Sequence, residues 1–248
     1  MKDFIAEVDR DLLTRNGLAD FDALWALQLD AVDEPNVERG GWSSVFRLDL
    51  EGVSYYLKRQ SNHLTRSLAH PFGEPTFARE FRSIRRFDTL GIPALQASFF
   101  GCRRVQGEHR AILLTRALDG WQDLDCWLDI WSSLSGTQRQ GILQATGALA
   151  KRLHSAGQIH GCFYPKHIFV QQAPDGWHAR LIDLEKTRPL LLGRTDRIKD
   201  LEPLLRRASA WNEDDIRCLL ASYLEDGGQA DAWLAQLSRR RRNKEARR

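Results

Sequence analysis

The sequence predicts an α+β fold in two parts, a sheet-rich first part and a helix-rich second. Three observations predict it. In the first half, apolar residues alternate with period two on either side of one helical stretch. After Gly120 the spacing changes to the 3.6-residue period of helices. Five features that can share one chemistry also follow in a set order: a glycine turn, a strand Lys, a helix Glu, a His-containing loop and an Asp at a strand end.

Near the N-terminus, "DFDALWALQL" (Asp20–Leu29) reads as a short amphipathic helix, ended by the Pro and paired glycines of "DEPNVERGGWSS". "SVFRLDL" and "VSYYLKR" read as two strands with Glu51-Gly52 at the bend. A basic, turn-rich loop runs from Gln60 to Pro75. "TFAREFRSIRRFDTLG" then reads as a helix, with Phe77, Phe81, Ile84 and Phe87 or Asp88 at the 3.6-residue period and Gly91 just past its end. "ALQASFFGCRRV" and "RAILLTRAL" are strands joined by "QGEH". The first part is thus β-β-α-β-β, an antiparallel sheet carrying one helix.

Beyond Gly120, "DLDCWLDIWSSL" reads as a helix and "TQRQGILQATGALAKRLHSAG" as a longer one. The longer helix opens with Thr137 and Gln140 at capping-box spacing and closes at Gly157. "HIFVQQ", the turn "APDG" and "WHARLID" form a hairpin. From Thr195 to about Leu237 the chain is helical again, with Asn212 as an N-cap and Gly227-Gly228 as a break. The boundary between the parts falls near Leu118–Gly120. This gives a first lobe at 1–118 with an N-terminal helical extension, a helical second lobe at 119–238 and a basic disordered tail at 239–248.

A chain of this length can bury a full-sized core, and 42% hydrophobic with 28% charged residues is ordinary for a soluble globular protein. No segment has the apolar length to cross a bilayer, and "MKDFIAEVDRDLL" carries acids early and lacks a signal-peptide core, so a cytosolic protein is expected. Cys102, Cys126, Cys162 and Cys218 are scattered, which suggests neither a zinc site nor a disulfide framework. The net charge of +3 hides an asymmetry: Arg239 to Arg248 holds seven bases and one acid, so the rest of the chain is slightly acidic. Such a run suits an anionic membrane surface as well as a plain solvated end. No RNA- or DNA-reading motif accompanies it, which argues against specific nucleic-acid binding.

Transfer of phosphate from ATP needs a backbone cradle, a cation on the phosphates, a carboxylate for Mg²⁺ and a group that aligns the acceptor hydroxyl. In "RGGWSSVF", Gly40 and Gly41 let a backbone approach a phosphate, though two glycines also make an ordinary turn. Lys58 lies near the end of a strand, where a Lys is usually just exposed. Glu80 lies on the apolar face of the next helix, where a charge is costly unless paired, so Lys58 is its natural partner unless Glu80 reaches water at the edge of the stripe. Asp183 directly follows an apolar strand, fit for Mg²⁺ or for a turn; Glu185 adds a second carboxylate. "QIHGCFYPKHIFV" (Gln158–Val170) has the outline of a catalytic loop, and its His160 and His167 suit the site or a packed structural role.

"RGGWSSVF", "YYLKRQ", "PTFAREFRSIRRF", "LGIPA", "LHSAGQIHGCFYPKHIF" and "LIDLEKTRP" resemble the protein-kinase-like superfamily. Within it the chain looks like the lipopolysaccharide-core Kdo/heptose kinases, in their InaA-type branch. The likeness runs roughly from Val37 to Asp200, and its last three segments are the most telling. It implies a bilobal protein-kinase-like fold, ATP and Mg²⁺ as cofactors, and a sugar hydroxyl of lipopolysaccharide core as acceptor at the inner face of the cytoplasmic membrane. Gly40, Gly41 and Ser43 would line the nucleotide loop. Lys58 would contact phosphates and pair with Glu80, and Thr115 to Leu118 would form the hinge under the adenine. Asp183 would be the Mg²⁺-binding Asp, here in "DLE", with His167 at the second ligand position and His160 opening the loop.

Two departures stand out. Gly161 and Cys162 replace the Arg and Asp of the His-Arg-Asp motif, and His167 replaces the usual Asn. A thiol is a weak substitute for a carboxylate that positions a hydroxyl. His160, Glu185 or Lys166 remain as stand-ins, and Lys166 also suits charge neutralisation on the transferring phosphoryl. Two readings stay open: a phosphotransferase with a degenerate loop, or a nucleotide-binding pseudokinase with a regulatory or stress-response role.

Overall fold

The computed structural model describes residues 3–37, 40–66, 70–224 and 229–245. The chain divides into two compact units, Met1–Asp88 with Leu95–Asp119, and Thr89–Ala94 with Gly120–Arg248. Residues 89–94 thus belong with the second unit, so the division is not a single cut in chain order.

The first unit contains β1 (Phe4–Ile5), α1 (Glu7–Arg15), α2 (Phe21–Ala26), β2 (Trp42–Leu50), β3 (Val53–Ser61), β4 (Leu64–Thr65), β5 (Glu74–Pro75), α3 (Thr76–Thr89), β6 (Ala97–Val105) and β7 (Glu108–Arg116). Its sheet has the order β1-β6-β7-β3-β2, antiparallel throughout. Two-residue turns close both long hairpins. Glu51-Gly52 and Gln106-Gly107 have positive φ at each position, the geometry that matches strand twist.

Alternation sends Tyr55 and Leu57 of β3 and Ile112 and Leu114 of β7 to one face, where they pack with Leu13, Phe21 and Leu24 of α1 and α2. Next to this core, Asp9 of α1 is buried, accepting hydrogen bonds from Tyr55 Oη at 2.8 Å and Arg116 Nη2 at 2.6 Å. Helix α3 covers the opposite face, with Phe81 stacked on Phe100 at 4.3 Å. The helix expected at Asp20–Leu29 ends earlier, at Ala26, because Arg59 Nη1 donates to the carbonyls of Trp25 and Leu27 at that end. Sequence patterning did not single out β1 and α1 as elements.

The second unit contains β8 (Gln122–Asp123), α4 (Leu124–Asp129), α5 (Gly136–Ser155), β9 (Gln158–Ile159), β10 (Ile168–Ala173), β11 (Gly176–Leu181), β12 (Arg188–Pro189), α6 (Arg194–Arg207), α7 (Glu213–Tyr223) and α8 (Ala230–Glu245). Short 3-10 turns lie at Trp131–Ser133, Pro165–His167 and Leu184–Lys186. The sheet order is β11-β10-β8, and β12 pairs with β9. The helix expected over "DLDCWLDIWSSL" stops at Asp129 and re-forms as the first of those turns. The capping box of α5 is Ser135 with Gln138, two residues before the expected pair. Ser135 has the extended backbone of an N-cap, whereas Thr137 is already inside the helix. Asn212 caps α7, paired with Asp215.

The run expected as a disordered tail is helical as far as Glu245, continuing α8. Trp233, Leu234 and Leu237 bury the early turns, and Arg and Lys are good helix formers, so the helix propagates through the basic run. Residues 246–248 and the Gly227-Gly228 break lie outside the described residues. No described helix is long and apolar enough to cross a membrane.

Candidate functional site

In the first unit, Ala31 and Asn36 form isolated antiparallel bridges with Phe46 and Ser43 of β2. The segment before β2 is therefore paired back onto it as far as Asn36; residues 38 and 39 lie outside the described ones. Gly40 has φ +76° and open space where a side chain would be. Gly41 is glycine for a packing reason: a Cβ there would collide with the backbone of Ser61 and Asn62. Ser43 sits in the ladder, exchanging backbone hydrogen bonds with Asn36 at 2.8 and 2.9 Å.

Lys58 on β3 points to the α3 face, and its Nζ lies 2.7 Å from Glu80 Oε1. The Glu80 side chain is 4% exposed, so the helix position argued from periodicity is the one that buries a carboxylate against the sheet. Gln60, two residues on and on the same face of β3, was not foreseen. It accepts from Thr76 Oγ1 at 2.7 Å and Phe77 N at 2.9 Å, which caps the start of α3 and sets the height of Glu80. Its period-two spacing from Lys58 was the available signal. Thr115 is buried in β7 opposite Tyr56 and Ala97, and Leu118 follows the strand half-buried.

In the second unit the loop from Gln158 to His167 is built around Asp200 of α6. Asp200 accepts from the backbone N–H of His160 at 2.8 Å and of Gly161 at 2.7 Å, and contacts His154 Nε2 at 3.1 Å. His154 in turn meets the Tyr223 hydroxyl at 2.9 Å. Asp200 is 2% exposed and forty residues from His160, so no local pattern announces it. Gly161 has φ +79°, and a Cβ there would lie 2.6 Å from the Lys186 carbonyl oxygen. This is why glycine stands where the related motif has Arg.

His160 is fully buried and both ring nitrogens are engaged. Nε2 donates to the Ile182 carbonyl at 2.9 Å, and Nδ1 accepts from the Cys162 N–H at 3.2 Å. Burial holds its pKa below the ordinary value, so the ring is neutral. His160 therefore ties the loop to the strand end before Asp183 and has no free nitrogen for acid–base work, which corrects its assignment as a catalytic residue. Cys162 is buried, with the Lys186 ammonium against its sulfur; that contact raises the Lys186 pKa and outweighs burial, which lowers it. Lys166 is exposed on the 3-10 turn.

Asp183 adopts a left-handed backbone (φ 56°, ψ 62°), which an Asp tolerates better than most residues. Its Oδ2 lies 3.3 Å from His167 Nε2. His167 Nδ1 faces the Cys162 carbonyl at 2.9 Å, an acceptor only, so Nδ1 carries the proton. Burial keeps this ring neutral too. A lone pair on Nε2 thus converges with a carboxylate, an arrangement that favours a cation between or beside them. The donor set fits a divalent cation held chiefly by Asp183, since carboxylate oxygen suits Mg²⁺ and imidazole suits it poorly. Among the described residues no group of three or more His, Cys, Asp or Glu could hold a metal, so other ligands would come from phosphate and water.

An antiparallel sheet with a Lys–Glu pair onto its helix, and a His-containing loop leading to a strand-end Asp, define a protein-kinase-like phosphotransferase by class. The family model "Lipopolysaccharide kinase (Kdo/WaaP) family" matches residues 22–223, and the chain belongs to that family. It is similar to Protein InaA of Escherichia coli (strain K12), 33% identical over 214 residues, which cover 86% of this chain and 91% of that protein. Among solved structures, "WaaP in complex with acyl carrier protein" has the same fold, with a TM-score of 0.72 and 21% identity over 98% of this chain and 99% of that one.

Proposed function

We propose that the protein transfers the γ-phosphate of ATP to a hydroxyl of a lipopolysaccharide core sugar, using Mg²⁺, through a catalytic loop weakened by Cys162. The buried Lys58–Glu80 pair carries this reading, because it holds an ammonium fixed against the sheet at 2.7 Å, as a cation on the phosphates must be held. In this mechanism Lys58 neutralises phosphate oxygens, and the Gly40–Gly41 turn offers backbone N–H groups to them. Thr115 to Leu118 run under the adenine. Asp183 holds the cation, with His167 beside it. Bound Mg²⁺ would supply charge neutralisation across the phosphates. His160 keeps Asp183 at its place by bonding the carbonyl one residue earlier.

What the loop lacks is a carboxylate to align the acceptor. A positioned base contributes about 10²- to 10⁴-fold, and the buried Cys162 beside Lys186 does not replace it. Lys166 and Lys186 supply positive charge near the loop instead. That same burial favours a second reading, a nucleotide-binding regulator without turnover. We place the protein in the cytoplasm, with the basic run of α8 suited to the anionic inner face of the membrane.

The test compares wild type with Cys162→Asp, using Mg²⁺-ATP and core glycolipid. Phosphate transfer by the wild type, rising about 10²-fold or more in Cys162→Asp, supports the enzyme. Transfer by Cys162→Asp alone, with ATP raising the melting temperature of both, supports the regulator. Absence of any ATP-dependent rise in melting temperature removes both readings.

A further inference from the structure

A cavity of about 630 Å³ opens between α5 and the β10–β11 hairpin, wholly within the second unit. This is the volume range of sites for small organic ligands. On its α5 side lie the small or apolar side chains of Ala145, Ala148 and Leu149. The Trp177 indole forms a wall and has little freedom to leave. It lies on Gly141, where a Cβ would collide with the ring, and it meets Trp127 edge-on at 5.4 Å. Two arginines also line it. Arg180 lies over the Trp121 ring at 4.9 Å, which fixes its plane, and Arg152 projects from α5.

The charge is one-sided. Among the described residues neither Arg152 nor Arg180 pairs with a carboxylate, and no Asp or Glu lines the cavity. The nearby Asp175 is engaged with His178 at 2.9 Å. An aromatic wall beside two uncompensated arginine forks is complementary to an anion carried on a ring. None of Lys58, Glu80, His167 or Asp183 lines this space.

We propose that this cavity binds a small anionic ring compound, its carboxylate or phosphate held by Arg152 and Arg180 and its ring face set against Trp177. The proposal does not depend on phosphoryl transfer. The full-length protein is titrated calorimetrically with glucose 6-phosphate, glucuronate, phenyl phosphate and benzoate, and with glucose and inorganic phosphate as references. Saturable binding of at least one ring anion, tenfold or more tighter than either reference, is expected; the sugar and aromatic arms identify the ring. Arg152→Ala with Arg180→Ala should weaken that binding tenfold or more while leaving any ATP-dependent rise in melting temperature unchanged. Lys58→Met combined with Glu80→Leu, which keeps the space filled without a charge, should leave the ring-anion binding intact. No saturable binding by any of the four, affinity no better than inorganic phosphate, binding indifferent to the arginine pair, or loss of binding in the folded Lys58→Met, Glu80→Leu variant would each overturn the proposal. Neither Arg152 nor Arg180 is buried, so this variant stays informative even where Trp177→Ala fails to fold.

Discussion

Single residues in this protein are held by two kinds of necessity, charge and space. Glu80 is a buried carboxylate held against the Lys58 ammonium. Lys58→Ala should destabilise by about 3–5 kcal/mol because it takes the ammonium away from a buried carboxylate. Lys58→Met combined with Glu80→Leu should recover much of the loss, since an apolar pair fills the space without a charge, yet show no thermal response to ATP. Urea unfolding with and without nucleotide reads both effects, and full nucleotide response in the double variant would refute the role of Lys58. Gly161 is the spatial case. With φ +79° and the Lys186 carbonyl in the way, Gly161→Ala should lower stability by about 1–3 kcal/mol or more, measurable as a shift in urea midpoint.

Among the elements, α3 and α6 do the positioning. Gln60 caps α3 from the strand that bears Lys58, so sheet and helix are fixed in height together. Asp200 of α6 gathers two backbone N–H groups of the His160 loop with one carboxylate. Asp200→Ala should leave the buried His160 donor unpaired, at about 1–3 kcal/mol, with a smaller loss at the more open Gly161 donor. Hydrogen exchange at the His160 and Gly161 amides should then accelerate far more than at α5, and uniform acceleration would mean that Asp200 holds the whole unit instead. Element ends were the least legible feature from sequence. Thr137-x-x-Gln140 matches a capping box in spelling, but Ser135 has the required backbone, because the 3-10 turn at Trp131–Ser133 delivers the chain to the helix earlier.

For the molecule as a whole, acid sensitivity follows from its buried titratable groups. His160 and His167 are both held below the ordinary imidazole pKa by burial. Their unfolded forms take up protons near pH 6.5 while the folded forms refuse them. Stability from these groups is therefore present above about pH 6.5 and is lost as pH falls from there through the folded values. The pKa values of Asp9 and Asp196 are also lowered: hydrogen bonds from Arg116 and Tyr55 outweigh burial at Asp9, and the Arg188 hydrogen bond leads at Asp196. They add a second loss below about pH 4, again as pH falls through the folded values. The urea midpoint should drop between pH 7.5 and 5, with a shallower slope in His160→Gln, whose amide retains a donor and an acceptor. A flat profile would mean that the folded protein accepts protons on these rings.

Patterns within a few residues were readable from the sequence alone. They include the two tight hairpins, the face of α3 that carries Glu80, the helix cap at Asn212 and the order of Lys58, Glu80, the His loop and Asp183. Each depends on backbone period or turn chemistry, which neighbouring residues determine. Only the tertiary structure decided which groups are free to act. It engaged both nitrogens of His160, set Lys186 against Cys162, and brought Asp200 from forty residues away to hold the loop. Those outcomes depend on contacts between distant segments, where burial and hydrogen-bond satisfaction, rather than local spacing, select the partner.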